Sequence, residues 1–215
     1  MTDKAAIRSF IERTTDIVTP PLAQELRLRL ARDPHGIFQE AHAFVSGGLG
    51  ARPYWAFAWP GGQALARHII DNPALVAGKR VLDIGAGSAI AGIAAMKAGA
   101  RAVTAADIDP LAVEAIAANA ALNDVTITAT ADDLLGVDTR FDLVIIGDLV
   151  YEPDLKDRVG LFLAAHKKRG IPVLYGDRTT ARRPPGDFQL LAEHEAPLTP
   201  PLVESFIERA RVWML

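Results

Sequence analysis

The sequence predicts a doubly wound α/β fold, a parallel sheet covered by helices on both faces. Three observations carry that expectation. From residue 80 onward, short apolar runs read as strands ("RVLDIG", "AVTAADI", "VTITAT", "FDLVIIGD", "IPVLYGD"), and amphipathic or alanine-rich stretches between most of them read as helices ("SAIAGIAAMKAG", "PLAVEAIAANAALN", "PDLKDRVGLFLAAHKKRG"). Such alternation with short connections implies parallel pairing with crossover helices. The first strand runs straight into a glycine turn, "DIGAGSAI", and acids stand at successive strand ends: Asp83, Asp107, Asp132, Asp133 and Asp148.

Taken in order, residues 3–14 and 22–32 read as helices, the second entered through Pro20-Pro21 and carrying Leu22, Leu26, Leu28 and Leu30. They predict an N-terminal helical extension over residues 1–50, followed by one main domain over 51–215. Gly47 to Pro53 is irregular and leads into the aromatic cluster Tyr54, Trp55, Phe57 and Trp59. Pro60 suits a first helical turn, and Leu65, Ile69 and Ile70 recur at helical spacing, so a helix is expected from Pro60 to Asp71. Gly99 and Gly170 close later helices, and Pro110 opens one. In the tail, "FQLLAEHE" and "ARVWML" read as closing strands. The segment between them is too short for a full crossover, which predicts an antiparallel edge.

Composition excludes several classes. With 23 basic and 26 acidic residues the chain has a net charge of −3, without the cationic excess of a nucleic-acid binder. The absence of cysteine removes disulfides, zinc-thiolate sites and thiol catalysis together. The five histidines are scattered, with no pair at i, i+4, so no metal is expected. No apolar run suits a signal peptide or membrane span, and the expected compartment is the cytoplasm, with the chain acting as a monomer.

The glycine turn lies where doubly wound sheets bind ligands, beyond the carboxyl ends of their strands, but paired glycines also serve plain strand-to-helix turns, so the neighbouring residues decide. A dinucleotide fingerprint needs a small third residue three positions after the second glycine; Ile90 stands there. Asp83 would repel a phosphate and suits a cation. Asp107 lies where an acid takes a ribose hydroxyl pair, while Asp109 and Asp132 equally suit helix caps. A ribose, an adenine and a positively charged remainder together describe S-adenosylmethionine (S-adenosyl-L-methionine).

With its flanks, the sequence resembles the class I (Rossmann-like) seven-strand protein methyltransferases of family 16. Trp59-Pro60 precedes "GGQALARHI", and "GDLVYEPDL" supplies an acid-x-x-Tyr motif in Asp148 and Tyr151. The resemblance is dense from residue 52 to about 165, and strongest to the branch that methylates lysines of the electron transfer flavoprotein β-subunit. It implies S-adenosylmethionine held by Trp59, Asp83, Gly85, Gly87, Ser88, Asp107, Asp132, Asp133 and Asp148, with Asp148, Tyr151 and Glu152 as catalytic residues and no metal. A ribosomal protein is the alternative protein acceptor, and a small-molecule amine the second alternative. Neither nucleic acid nor membrane is an expected partner.

A lysine must shed a proton before attack. Asp148 is expected to accept hydrogen bonds from the amine, and Glu152 to steer the ammonium or relay its proton. Tyr151 offers an aromatic wall to a methylated ammonium, or serves as an ordinary core ring. Trp55 and Phe57 are expected to pack, and Trp59 to border the cofactor. Arg178, Arg182 and Arg183 form a basic run that reads either as a solvated loop or as a dock for an acidic protein surface.

Overall fold

The computed structural model describes residues 3–45, 52–137, 140–150, 153–178, 186–202 and 207–215. The helices are α1 (Lys4–Thr14), α2 (Gly36–Phe44), α3 (Pro60–Asp71), α4 (Ile90–Lys97), α5 (Pro110–Leu122) and α6 (Pro153–Lys168). The strands are β1 (Thr15–Val18), β2 (Leu28–Ala31), β3 (Arg80–Ile84), β4 (Ala102–Ala106), β5 (Thr128–Thr130), β6 (Leu143–Gly147), β7 (Val173–Asp177), β8 (Gln189–Pro197) and β9 (Ile207–Met214).

Seven strands form one sheet in the order β5-β4-β3-β6-β7-β9-β8. β3 pairs in parallel with β4 on one side and β6 on the other, so strand order reverses there. That reversal opens a crevice at the carboxyl ends of β3 and β6. β9 runs antiparallel to both β7 and β8, as the short tail connection requires. The alternation of burial along the strands builds two cores. Val81, Ile145 and Leu174 face α3 and α4, while Leu82, Val144, Ile146 and Tyr175 face α6.

The N-terminal segment departs from expectation. α1 forms, but the expected helix over residues 22–32 does not: β2 pairs antiparallel with β1 instead. The stretch "LRLRL" alternates with period two, and Leu26, Leu28 and Leu30 are all fully buried. The two-stranded sheet is fastened to α5 by side-chain amides. Asn119 Oδ1 accepts the Arg29 N–H at 2.7 Å, and Asn123 brackets Arg27, accepting its N–H at 3.0 Å and donating to its carbonyl at 2.6 Å. These bonds satisfy backbone groups of an edge that no strand covers.

Candidate active site

The turn after β3 is set by backbone geometry. Gly85 and Gly87 have positive φ, 63° and 53°, where L side chains are strained, and a side chain on Gly85 would collide with Leu149. Gly85 and Ala86 both donate to the Ala106 carbonyl, at 2.9 and 3.2 Å, which locks the turn against the end of β4. Ala89 is also left-handed (φ 58°) at the N-cap of α4. Ile90 is buried, and a Cβ on Gly62 would meet its Cγ2 at 3.0 Å. The bulky residue where a dinucleotide site needs a small one therefore packs on the start of α3.

Two acids hold this turn. Asp83, buried at the end of β3, accepts the Gly92 N–H at 2.9 Å and so satisfies a free donor of α4's first turn. Burial pushes its carboxyl up to about 7, against that hydrogen bond. Asp107 accepts the Gly87 N–H at 2.9 Å through one oxygen and the Asp109 N–H at 3.0 Å through the other. Burial raises its pKa as well. Asp109 caps α5 by accepting the Leu111 N–H at 2.8 Å, and burial pushes it up to about 6.

The second half of the site forms where β6, β7 and α3 converge. Gly-Asp closes β7, and the same pair straddles the end of β6, with Asp148 just past the strand; the two strands pair so that Gly147 lies opposite Gly176. A Cβ on Gly176 would sit 2.6 Å from the Gly61 carbonyl, and one on Gly147 would sit 3.4 Å from the Gly62 Cα. Glycines on both sides thus let the first turn of α3 lie directly on the strand ends. There Asp148, itself left-handed (φ 47°), accepts the Gly62 N–H at 3.1 Å. Its side chain is enclosed by protein yet open to the crevice. Burial pushes its carboxyl up to about 7, with Asp177 raising it further and the helix N–H groups and Arg178 opposing.

Around these ends lies a cleft of about 1070 Å³. The structure brings Trp59, Asp83, Gly85, Gly87, Ser88, Asp107, Asp132, Asp133 and Asp148 to its walls together. Asp132 and Asp133 sit at its exposed rim, where Asp132 bonds the Thr130 hydroxyl at 2.7 Å and Asp133 pairs with Arg158 at 2.5 Å. Asp132 therefore caps no helix. Trp59 is the N-cap of α3, and its indole N–H donates to the Tyr54 carbonyl at 2.9 Å. Trp55 and Phe57 are fully buried, as expected of packing residues, although both also reach the cleft wall. Tyr151, Glu152, Arg182 and Arg183 lie outside the described residues. Sequence reasoning missed Gly61 and Gly62 as donors to Asp148, and Asp177 as a second acid beside it. The repeated "GD" at the ends of β6 and β7 and the "PGG" opening α3 were the available signals.

The chain is 40% identical over 173 residues to the electron transfer flavoprotein beta subunit lysine methyltransferase of Xenopus laevis, an alignment covering 79% of this chain and 69% of that protein. The chain belongs to this lysine methyltransferase family. The mouse (Mus musculus) member is 39% identical over 175 residues, covering 80% of this chain and 68% of its own. The family profile of the ribosomal protein L11 methyltransferases (PrmA) matches residues 66–151 of this lysine methyltransferase family member. The ribosomal protein L11 methyltransferase of Thermosipho africanus is 45% identical over 103 residues, 46% of this chain and 38% of that one. Among solved structures, a putative RNA methyltransferase from Pyrococcus horikoshii superposes with a TM-score of 0.58 at 14% identity, covering 100% of this chain and 98% of that one. That likeness is one of fold.

Proposed function

We propose that this chain transfers methyl groups from S-adenosylmethionine to lysine side chains of the electron transfer flavoprotein β-subunit. Membership of the family, over most of this chain and two thirds of its relatives, carries the reading. The cleft supports the cofactor. Asp83, Asp107 and Asp148 are enclosed carboxylates, and among the described residues none has a basic side chain within ion-pair distance. A donor bearing a sulfonium and an ammonium, facing an ammonium acceptor, supplies the missing positive charge.

When bound, the cofactor supplies a methyl group already activated on sulfur. The chain's own tasks are alignment and the release of a lone pair on the acceptor. Asp107 presents its outward lone pairs to the ribose hydroxyls while two backbone N–H groups fix its plane. Gly85, Gly87 and Ser88 would let the backbone approach the methionine portion, Asp83 would answer its positive charge, and Trp59 would border it. Asp132 and Asp133, at the rim, would hold the adenine end. Asp148, held by the first turn of α3, accepts a hydrogen bond from the lysine nitrogen and orients it. A carboxyl group near neutrality is matched to taking up a proton as the amine is released. Tyr151 and Glu152 complete the acceptor end, as aromatic wall and as ammonium steering group. Residues 51–215 act as the methyltransferase domain and 1–50 as its extension. The enzyme works as a cytoplasmic monomer on a protein, without nucleic acid, membrane or metal.

The test is turnover with labelled cofactor on purified flavoprotein β-subunit against a ribosomal protein acceptor at equal concentration, read by intact mass. Preferential labelling of lysine in the β-subunit is expected. Greater activity on the ribosomal protein would move the assignment there, and labelling of a metabolite alone would replace it with small-molecule transfer.

A further inference from the structure

Arg178 follows β7 directly and lines the cleft. Its guanidinium lies over the Trp59 ring, 5.3 Å from the centroid, and pairs with Glu208 of β9 at 3.2 Å. Both members of the pair are largely shielded, with side-chain exposures of 31% and 16%. Trp59 is fixed at its other edges, by the Nε1 bond to Tyr54 and by the Tyr54 ring standing perpendicular at 5.4 Å. The guanidinium therefore covers a face of a ring whose edge is already fastened. A planar fork can stack on an aromatic face and bond a carboxylate at once; an ammonium cannot do both as well.

We propose that Arg178 is a positioning residue of the acceptor end: anchored by Glu208, it fixes the plane of Trp59 and sets a permanent positive charge in the wall that holds Asp148. The proposal rests on the methyltransferase reading of the cleft. Asp148 accepts the Gly62 N–H of α3 at 3.1 Å and donates its own N–H to the Gly176 carbonyl at 2.9 Å, which sets it beside the end of β7, where Asp177 and Arg178 share the cleft wall with it. Arg178 is the one side chain among these that favours the ionised carboxylate, and it offsets Asp177, which opposes it. It forms no ion pair with Asp148. The carboxylate therefore keeps its lone pairs for the acceptor amine while feeling the charge. Glu208 matters because an untethered arginine at the cleft wall would be free to neutralise Asp148 outright.

Arg178→Gln, Arg178→Lys and Glu208→Gln separate the two effects. The first measurement is carboxyl-carbon NMR titration of the ligand-free protein, with the Asp148 signal assigned by its loss in Asp148→Asn. The second is the acid limb of kcat/KM on the protein acceptor. In Arg178→Gln the titration midpoint and the acid limb should both move upward by roughly half a pH unit or more. Arg178→Lys should return both toward wild type, yet leave altered the indole emission assigned to Trp59 by comparison with Trp59→Phe. Glu208→Gln should alter the same emission. Calorimetric cofactor binding and the thermal midpoint report folding in each variant. An unchanged Asp148 midpoint in Arg178→Gln overturns the proposal, as does faster turnover, which would make Arg178 a cation that the acceptor must displace. A wild-type enzyme that labels no protein refutes the proposed function instead, and the NMR titration still decides the role of Arg178.

Discussion

Asp83 at the end of β3 and Asp148 just past β6 are enclosed carboxylates that each accept a backbone N–H from the first turn of a helix, Gly92 of α4 at 2.9 Å and Gly62 of α3 at 3.1 Å. Burial pushes both up to about 7. They differ in how the clasp is assembled. Asp83 sits on regular strand, and its partner helix is the next element in the chain. Asp148 is left-handed, and its partner helix comes from far earlier in sequence, brought down by glycines on α3, β6 and β7. The proposed cofactor side is thus encoded locally, whereas the proposed acceptor side depends on the close approach of distant elements. One device serves both halves, but only the first is insulated from changes elsewhere in the fold.

The largest test of that contrast is functional. Asp148→Asn keeps an acceptor for the Gly62 N–H and removes the charge, so turnover should fall by about a hundredfold or more, while cofactor affinity measured by calorimetry should fall far less than turnover. Asp107→Ala should do the reverse, weakening cofactor binding by about 1–3 kcal/mol because an enclosed hydroxyl pair loses its acceptor. If Asp148→Asn lost cofactor affinity as Asp107→Ala does, the two halves would not be separate.

A structural test comes next. A Cβ on Gly61 would lie 2.6 Å from Asp148 Oδ2 and 2.8 Å from the Gly176 backbone, which cannot step aside. Gly61→Ala should therefore cost about 1–3 kcal/mol in urea unfolding and impair turnover. A Cβ on Gly92 would meet Asp83 Oδ2 at 2.9 Å and Val103 Cγ1 at 3.2 Å, both side-chain atoms. There the helix-propensity gain of alanine over glycine, about 1 kcal/mol, offsets part of the crowding. Equal losses at the two positions would erase the distinction between local and distant assembly.

The sequence carried the local half well. The helix from Pro60 to Asp71 has the expected bounds, because proline opens it and apolar spacing defines its buried face. The strands from β3 to β7 and the antiparallel edge follow from apolar runs and connection length. The hairpin strand at Leu28–Ala31 was misread because leucines spaced by two and by four suit either period, and only packing on α5 decides between them. The helix at Gly36–Phe44, whose first N–H is accepted by the Asp33 carboxylate at 3.0 Å, was not anticipated. The junction of α3 with Gly147 and Gly176 was illegible for a different reason. A glycine at a strand end signals nothing by itself, and its meaning is the helix that arrives from elsewhere.

Proton linkage gives a smaller effect shared by both halves. Asp83 and Asp148 are pushed up to about 7 and Asp109 to about 6, all from 3.8. Between those limits the folded protein holds protons that the unfolded chain has released. Stability from these groups is therefore full below the unfolded value and falls as pH rises from about 4 to about 7. Asp142, pulled down to about 2 by its hydrogen bonds with Arg80, acts with the opposite sign but only below that window. The thermal midpoint of the ligand-free protein should drop between pH 5 and pH 8, and saturating S-adenosylmethionine should shrink the drop, since its positive charge favours the ionised acids. An equal drop with and without ligand would place that charge away from Asp83 and Asp148.

The smallest effect is expected at the rim, where the contrast turns from local against distant to enclosed against exposed. Asp133 pairs with Arg158 at 2.5 Å, with side-chain exposures of 44% and 47%. Water screens such a pair, so Arg158→Ala should change stability by under about 1 kcal/mol. Its influence on cofactor affinity should also be slight and fade with added salt, because exposed charges are separated from the ligand by solvent. The enclosed acids are shielded by protein on most sides, so Asp107→Ala should retain most of its effect in the same salt series. Calorimetry of both variants across that series makes the comparison. A salt-resistant loss in Arg158→Ala as large as that of Asp107→Ala would mean that the adenine end closes over the cofactor and excludes water, so that Asp133 belongs with the enclosed acids and not with the rim.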